Sequence, residues 1–235
     1  KSTKKLPSSG ILKVDEKKKS TNINPIPMKL DIVFEDEDLL IVNKPYNLVT
    51  HPTLKKVDVT LANGIVHYLN IVPRFYNRLD MDTTGLIIIA KNSYAQSYLQ
   101  NMGEVRKRYL AIVEGKLDKE YIIEAKIYKD EDKLERIIDD RGQSAKTVVR
   151  PVSYNENKNV SFVECELFTG RTHQIRVHLK HIGHPIIGDK LYNPNGINAK
   201  RQMLHAYKLS FNHPKTRKRI DLEIPIYEDM IEFNI

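Results

Sequence analysis

From residue 30 onward the chain is a succession of short apolar runs broken by polar turns, the pattern of strands more than of long helices. Residues 31–34 and 39–44 read as two strands joined by an acidic turn, ending where Pro45 stops the pairing. Residues 86–90 form an apolar, β-branched run between Gly85 and the Lys91-Asn92 pair, as in a strand buried on both faces. Further strand-like runs lie at 106–115, 121–128, 134–138, 144–152 and 160–168. Helical spacing is rarer. Leu61, Ile65, Tyr68 and Leu69 share a face behind a cap at Asp58, and Ala95, Leu99 and Met102 follow a cap at Ser93. A third helix is expected to open at Thr172 and close at Gly183. It would bury Ile175, Leu179 and Ile182 and turn His173, Arg176 and Lys180 to another face. Its amino terminus would suit an anion. Residues 201–206 and 222–225 read as closing structure. Short connections, only some of them helical, give an α+β fold: a mixed, mostly antiparallel central sheet flanked by a few helices and loops. No internal repeat is visible.

Composition narrows the class. With 235 residues, 40% of them hydrophobic, the chain can bury one good core. That core is placed at 29–235, behind an extension at 1–28 that is rich in Lys, Ser, Asn and Pro and reads as a solvated linker. Residues 11–14 could be one strand of an upstream module, and since the chain opens on Lys1 a longer amino-terminal sequence is expected. Thirty-eight basic against thirty acidic residues leave a net charge of +8, which favours a polyanionic partner, nucleic acid above all. The single cysteine, Cys165, excludes an intramolecular disulfide and shares the strand parity of Val163 and Leu167, as a small core residue does. No apolar run approaches the ~20 residues that cross a bilayer. The expected location is the cytoplasm.

Two stretches carry unusual polar groups at the edge of core elements. The first, 77–85, crowds Arg78, Asp80, Asp82, Thr83 and Thr84 into a turn that runs straight into the apolar strand. Buried charge is costly unless paired, so a purely structural turn would keep such residues away from the core. The second is 169–180, whose Arg171 could hold Asp80 as a carboxylate, suited to attack a carbon or take a proton. Asp82, two residues on, is the rival by position alone. His173, His178, His181 and His184 do not form a metal-ligand signature, since His173 and His178 diverge on a helix.

At these residues the chain resembles a known family. Residues 78–85 are similar to the Arg-Leu-Asp-x-x-Thr-Ser-Gly motif of the RluA/RluD-type RNA pseudouridine synthases. In family order stand 35–38 with 43–45, then 107–111, 169–179, 182–186 and 201–206. The resemblance implies the pseudouridine synthase fold and an isomerase that converts uridine to pseudouridine in structured RNA, ribosomal RNA first and transfer RNA as the alternative. It implies that Asp80 is the catalytic aspartate, that Tyr109 stacks on the target base, that Arg171 holds Asp80, and that Arg78 helps to flip the nucleotide. Further RNA contacts would come from Thr84, Lys107, Arg108, His173, Gln174, Arg176 and Lys180. No cofactor and no metal are implied, and a monomer without an obligate protein partner or a membrane is expected. Asn77 stands where many members have His, and Thr84 where they have Ser, changes expected to alter local packing and not the chemistry. The family's frequent amino-terminal S4-type domain is absent from this sequence or reduced to its last strand. Two other readings compete: an inactive RNA binder of the same fold, and a metal-dependent phosphodiesterase using Asp80 and Asp82.

Overall fold

The computed structural model describes residues 21–52 and 59–233. The expected strand at 11–14 and the cap at Asp58 lie outside these residues. Eleven strands make one mixed sheet. Its order begins with β1 (Ile32–Glu35), β2 (Leu39–Lys44), β4 (Thr84–Ala90) and β10 (Leu204–Asn212). It continues through β5 (Arg106–Glu114), β9 (Val160–Leu167), β8 (Gln143–Asn155), β6 (Tyr121–Lys129) and β7 (Arg136–Ile138). Short β3 (Arg74–Phe75) pairs with β4, and β11 (Arg219–Glu223) with β10. Among named strands β4–β10 is the one parallel pairing; the others are antiparallel. Helices α1 (Leu61–Leu69), α2 (Ser93–Asn101), α3 (Gln174–His181) and α4 (Glu228–Ile231) flank it. This is the expected α+β fold. None of the described helices is long and apolar enough to cross a membrane.

Strand β4 is buried along its whole length, as its unbroken apolar run requires. Its Leu86, Ile87, Ile88 and Ile89 are fully enclosed, each worth roughly 1.5–3 kcal/mol relative to exposure. Side chains alternate across the sheet, so Ile87 and Ile89 join one apolar cluster and Leu86 and Ile88 another. Cys165 lies opposite Tyr109 and Val149, fully buried, as a core residue. Residues 201–206 are not closing structure: β10 fills the middle of the sheet, between β4 and β5. That close passage is possible because position 85 is glycine. Gly85 has φ +114, and a Cβ there would lie 2.3 Å from the Ala206 carbonyl oxygen.

Several local expectations are displaced by one or two residues. Helix α1 starts after Thr60, whose N–H and hydroxyl both donate to the Asn63 side chain. Tyr68 is half exposed and donates to Glu35. Asn92, not Ser93, caps α2, accepting from the Ala95 amide, and Met102 points to solvent. Before the core proper, Ile26 donates to the Asn63 carbonyl, Asn63 donates to the Asn24 carbonyl, and Met28 packs on Gly64.

His205 of β10 locks the junction. It is fully buried, with Nε2 on the Pro225 carbonyl at 3.0 Å and Nδ1 on the Thr84 hydroxyl at 2.9 Å. Burial pushes its pKa down to about 4, against the opposing pull of that carbonyl. The unfolded ring takes up a proton near its ordinary value while the folded ring stays neutral. Stability is therefore lost as pH falls from about 6.5 towards 4, on the order of 3 kcal/mol in all. In urea titrations, His205→Gln should remove about 2 kcal/mol of the stability lost between about pH 7 and pH 5. An undiminished loss would show that the ring is not buried neutral.

Candidate active site

Three backbone clamps shape the turn that precedes β4. Lys44, fully buried at the end of β2, directs its Nζ at the carbonyls of Pro45, Leu48 and Met81, at 2.7, 2.9 and 2.9 Å. Three acceptors match the three hydrogens of an ammonium. Burial lowers the Lys44 pKa to about 7, with Asp82 and Asp80 pulling the other way. From the other side, buried Arg201 pairs with Asp229 of α4 and donates to the carbonyls of Asp82, Gln202 and Leu204. Gln202 donates to the Thr83 hydroxyl at 2.7 Å. Asn77 closes the turn as a strand would, donating to the Leu86 carbonyl and accepting from the Ile88 amide.

The turn forms one wall of a cleft of about 740 Å³, opposed by β5 and by the segment leading into α3. Asp80 sits in this wall with its side chain 30% exposed. Its Oδ2 accepts from Arg176 Nη1 at 2.8 Å, while Oδ1 has no hydrogen-bond partner among the described residues. The remaining guanidinium edge of Arg176 is held bidentately by Asp189, through Nε at 2.7 Å and Nη2 at 2.8 Å. Burial disfavours the charge on Arg176, but Asp189 and Asp80 outweigh it and raise the guanidinium above its usual value. Burial likewise works against the Asp189 carboxylate. Arg176 and the amides of Tyr192 and Leu191 prevail and keep it below the ordinary range. Gly188 makes the approach of Asp189 possible, with φ +70 and no room for a Cβ beside the Arg201 carbonyl.

The expected pair of Arg171 with Asp80 is not formed. Arg171 is exposed at the rim of the cleft, and its Nε donates to the Ser144 carbonyl at 3.1 Å. The helix begins one residue later than expected, with His173 and not Thr172 at its cap, in a left-handed conformation at φ 58. The Gln174 side chain organises this turn and so competes with helix formation, accepting from the Thr169 hydroxyl and the Arg171 amide. With the start delayed, Arg176, one turn further on, reaches Asp80.

Other expected RNA contacts sort by which face they occupy. Lys107 and Tyr109 share a parity on β5 and line the cleft. Burial lowers the Lys107 pKa, and its Nζ lies 5.7 Å from the Tyr76 ring centre. The Tyr109 hydroxyl has no hydrogen-bond partner among the described residues, and burial, with Asp80 adding to it, pushes its pKa up. Arg108, on the opposite parity, faces Glu164 and Glu166 across the sheet and is not in the cleft. Thr84 is fully buried on His205 and is not available to RNA. Gln174 is also consumed, its amide nitrogen donating to the Lys146 carbonyl and the Thr147 hydroxyl. Lys180 is exposed over the Tyr192 ring, outside the cleft. Arg78 lines the cleft, exposed and without an ion pair among the described residues. His173 lines it too, with Nε2 3.9 Å from Asp80 Oδ2. Asp82 lines the cleft but has no cation within ion-pair distance among the described residues, which separates it from Asp80. Asp189, Lys44, Tyr192 and Arg201 were assigned no role in the sequence reading. A lysine two residues beyond the apolar run 39–42 and just before Pro45 was the available sign for Lys44.

One group of carboxylate and imidazole atoms is close enough to hold a metal among the described residues: Asp36, Asp38 and His213. It is fully engaged otherwise. His213 Nε2 meets Asp36 at 2.7 Å and its Nδ1 accepts from the amides of Lys215 and Thr216.

Set beside known proteins, this arrangement is familiar. The sequence profile described as RNA pseudouridylate synthase matches residues 38–181. The chain is 39% identical over 220 residues to the uncharacterized RNA pseudouridine synthase YlyB of Bacillus subtilis, covering 88% of this chain and 72% of that one. It is 35% identical over 230 residues to the ribosomal large subunit pseudouridine synthase D of Zymomonas mobilis, with the same coverages of 88% and 72%. Among solved structures, human RNA pseudouridylate synthase domain containing 1 superposes with a TM-score of 0.68 at 25% identity, over 84% of this chain and 83% of that one. The chain belongs to the RNA pseudouridine synthase family, of the RluA/RluD type. It is therefore an isomerase acting on RNA, and the cleft around Asp80 is where its chemistry is sought.

The clamp makes a prediction about stability. Lys44→Met should leave three carbonyls under the turn without a donor and lower the unfolding free energy by about 3 kcal/mol. Urea denaturation at neutral pH reads this directly; a change below about 0.5 kcal/mol would mean that the carbonyls find other partners.

Proposed function

We propose that the protein isomerises uridine to pseudouridine in ribosomal RNA of the large subunit, in the cytoplasm, with Asp80 as the catalytic carboxylate. The observation that carries the assignment is the half-anchored state of Asp80: one oxygen fixed by Arg176, the other without a partner among the described residues, in a cleft large enough for a flipped nucleotide. The large-subunit substrate rests on the printed names of relatives such as the Zymomonas mobilis protein.

In this reaction the C1′–N1 bond of uridine breaks, the uracil turns in place, and C5 bonds to C1′. The C5 proton then leaves and a proton ends on N1, so the product is an isomer with nothing added. Asp80 serves either route to bond cleavage: attack on C1′, or removal of the ribose C2′ proton to give a glycal. Tyr109, across the cleft, stacks on the freed base and holds it for reattachment. Lys107, with no carboxylate partner among the described residues, is placed to take a phosphate, as are Arg78 and Arg171 at the rim. The net charge of +8 fits such a substrate.

Tritium release from C5-labelled uridine in ribosomal RNA lacking pseudouridine tests the assignment. Asp80→Asn should release none and still bind the RNA, and a chelator should not affect wild type. Turnover by Asp80→Asn would transfer the role to another group, Asp82 first. Arg171→Ala should keep the single-turnover rate but weaken binding and reduce the salt slope of the affinity by about one counterion. A collapse of the rate with binding intact would restore Arg171 to the carboxylate.

A further inference from the structure

The segment after α3 brings a buried tyrosine against His173, and the hydrogen-bond directions there can be worked out. The Tyr192 hydroxyl oxygen lies 2.7 Å from the Arg136 backbone nitrogen and 2.9 Å from His173 Nδ1. The amide can only donate, so it occupies a lone pair of the phenol oxygen. If Nδ1 also carried a hydrogen, the phenol hydrogen would have no acceptor among the described residues. An unpaired buried donor costs about 1–3 kcal/mol. The arrangement that satisfies every group has the phenol donating to Nδ1, with the neutral ring's own hydrogen on Nε2. That nitrogen faces Asp80 Oδ2 at 3.9 Å, the same oxygen that Arg176 already holds.

We propose that Tyr192 fixes His173 as the Nε2–H tautomer and makes it the second positioning residue of Asp80, its N–H turned at 3.9 Å towards the oxygen that Arg176 hydrogen-bonds, leaving Oδ1 as the oxygen that reacts. The backbone supports this. His173 adopts a left-handed φ of 58, a conformation unfavourable for a residue with a Cβ and of use where it aims a side chain. The two rings meet edge to face, at 5.6 Å and 83°, which fixes the imidazole plane as well as its proton. Asp189 couples the two anchors, because the carboxylate that grips Arg176 also accepts the Tyr192 amide at 3.1 Å.

Burial favours the neutral ring, and the charged groups around it are divided. Burial pushes its pKa down; Asp80 from the turn before β4 opposes this, Arg176 from α3 and Arg136 from β7 reinforce it, and Asp189 opposes it more weakly. When acidification does protonate the ring, Nδ1 ceases to accept, and the positive charge beside Asp80 weakens it as a base or nucleophile. Activity should therefore fall on the acid side in part because of His173.

This inference rests on Asp80 being the catalytic carboxylate, and two independent readouts test it. Nitrogen-15 NMR of histidine-labelled protein at about pH 7, assigned by comparison with His173→Ala, should show the Nε2–H form for His173. Tyr192→Phe should convert it to a mixture of tautomers. A wild-type ring protonated on Nδ1 would overturn the proposal whatever the activity. In single-turnover tritium release, His173→Ala should be slower by a few-fold, because an N–H 3.9 Å from Oδ2 orients the carboxylate without a full hydrogen bond, with RNA affinity unchanged. His173→Gln, which can place an amide N–H near the Nε2 position, should recover most of that rate and extend activity to lower pH than wild type. An unchanged rate in His173→Ala, or a wild-type acid limb in His173→Gln, would overturn it. A wild-type protein that releases no tritium would overturn the functional reading, and this role with it, while the tautomer measurement still reports on the geometry.

Discussion

A single guanidinium, Arg176, lies between two carboxylates, and the site depends on how unequally it serves them. Asp189, fully buried, receives a bidentate grip and two backbone amides; Asp80, at the cleft wall, receives one N–H on one oxygen. A buried ion pair is tolerated only when its remaining lone pairs are satisfied, and Asp189 meets that condition. Asp80 does not, and for the carboxylate proposed to react this is useful. The trio carries one net negative charge, and geometry leaves it on the carboxylate that faces the cleft.

The sheet brings these groups together from distant parts of the chain. Strand β4 delivers Asp80 from the turn ahead of it, and β10 runs parallel beside β4 through the gap left by Gly85. The residues entering β10 then clamp the same turn: Arg201 holds the Asp82 carbonyl and Gln202 the Thr83 hydroxyl. Lys44 grips it from β2. Helix α3 approaches from the far side with Arg176 and His173. Three segments therefore converge on one short turn, β2 and the entry to β10 through its backbone carbonyls and α3 through the Asp80 side chain.

The sequence showed the sheet well because most strands are short apolar runs between clear breaks, and the run at 86–90 was a buried strand as read. The place of β10 was not legible: His205 and Lys208 interrupt its apolar pattern, and nothing local announces a parallel partner about 120 residues earlier. At the site, the turn containing Asp80 could be read from its residues, and Tyr109 was reached through the family resemblance alone. The arginine that serves Asp80 could not. Arg171 and Arg176 stand in the same short stretch, and the choice turns on the left-handed His173, a conformation with no sequence signature. Thr84 and Gln174 misled for a related reason, since polar side chains beside a site are as often consumed in building it as exposed within it.

The central claim is that Arg176 acts through Asp80, and a double-mutant cycle in single-turnover tritium release measures this most directly. Wild type, Asp80→Asn, Arg176→Lys and the double variant would be compared on the same RNA, with affinity measured alongside. If the pair works as one unit, Arg176→Lys alone is strongly impaired, and adding it to Asp80→Asn lowers the residual rate no further. Equal, multiplicative losses in both backgrounds would contradict the account, because Arg176 would then be serving some group other than Asp80.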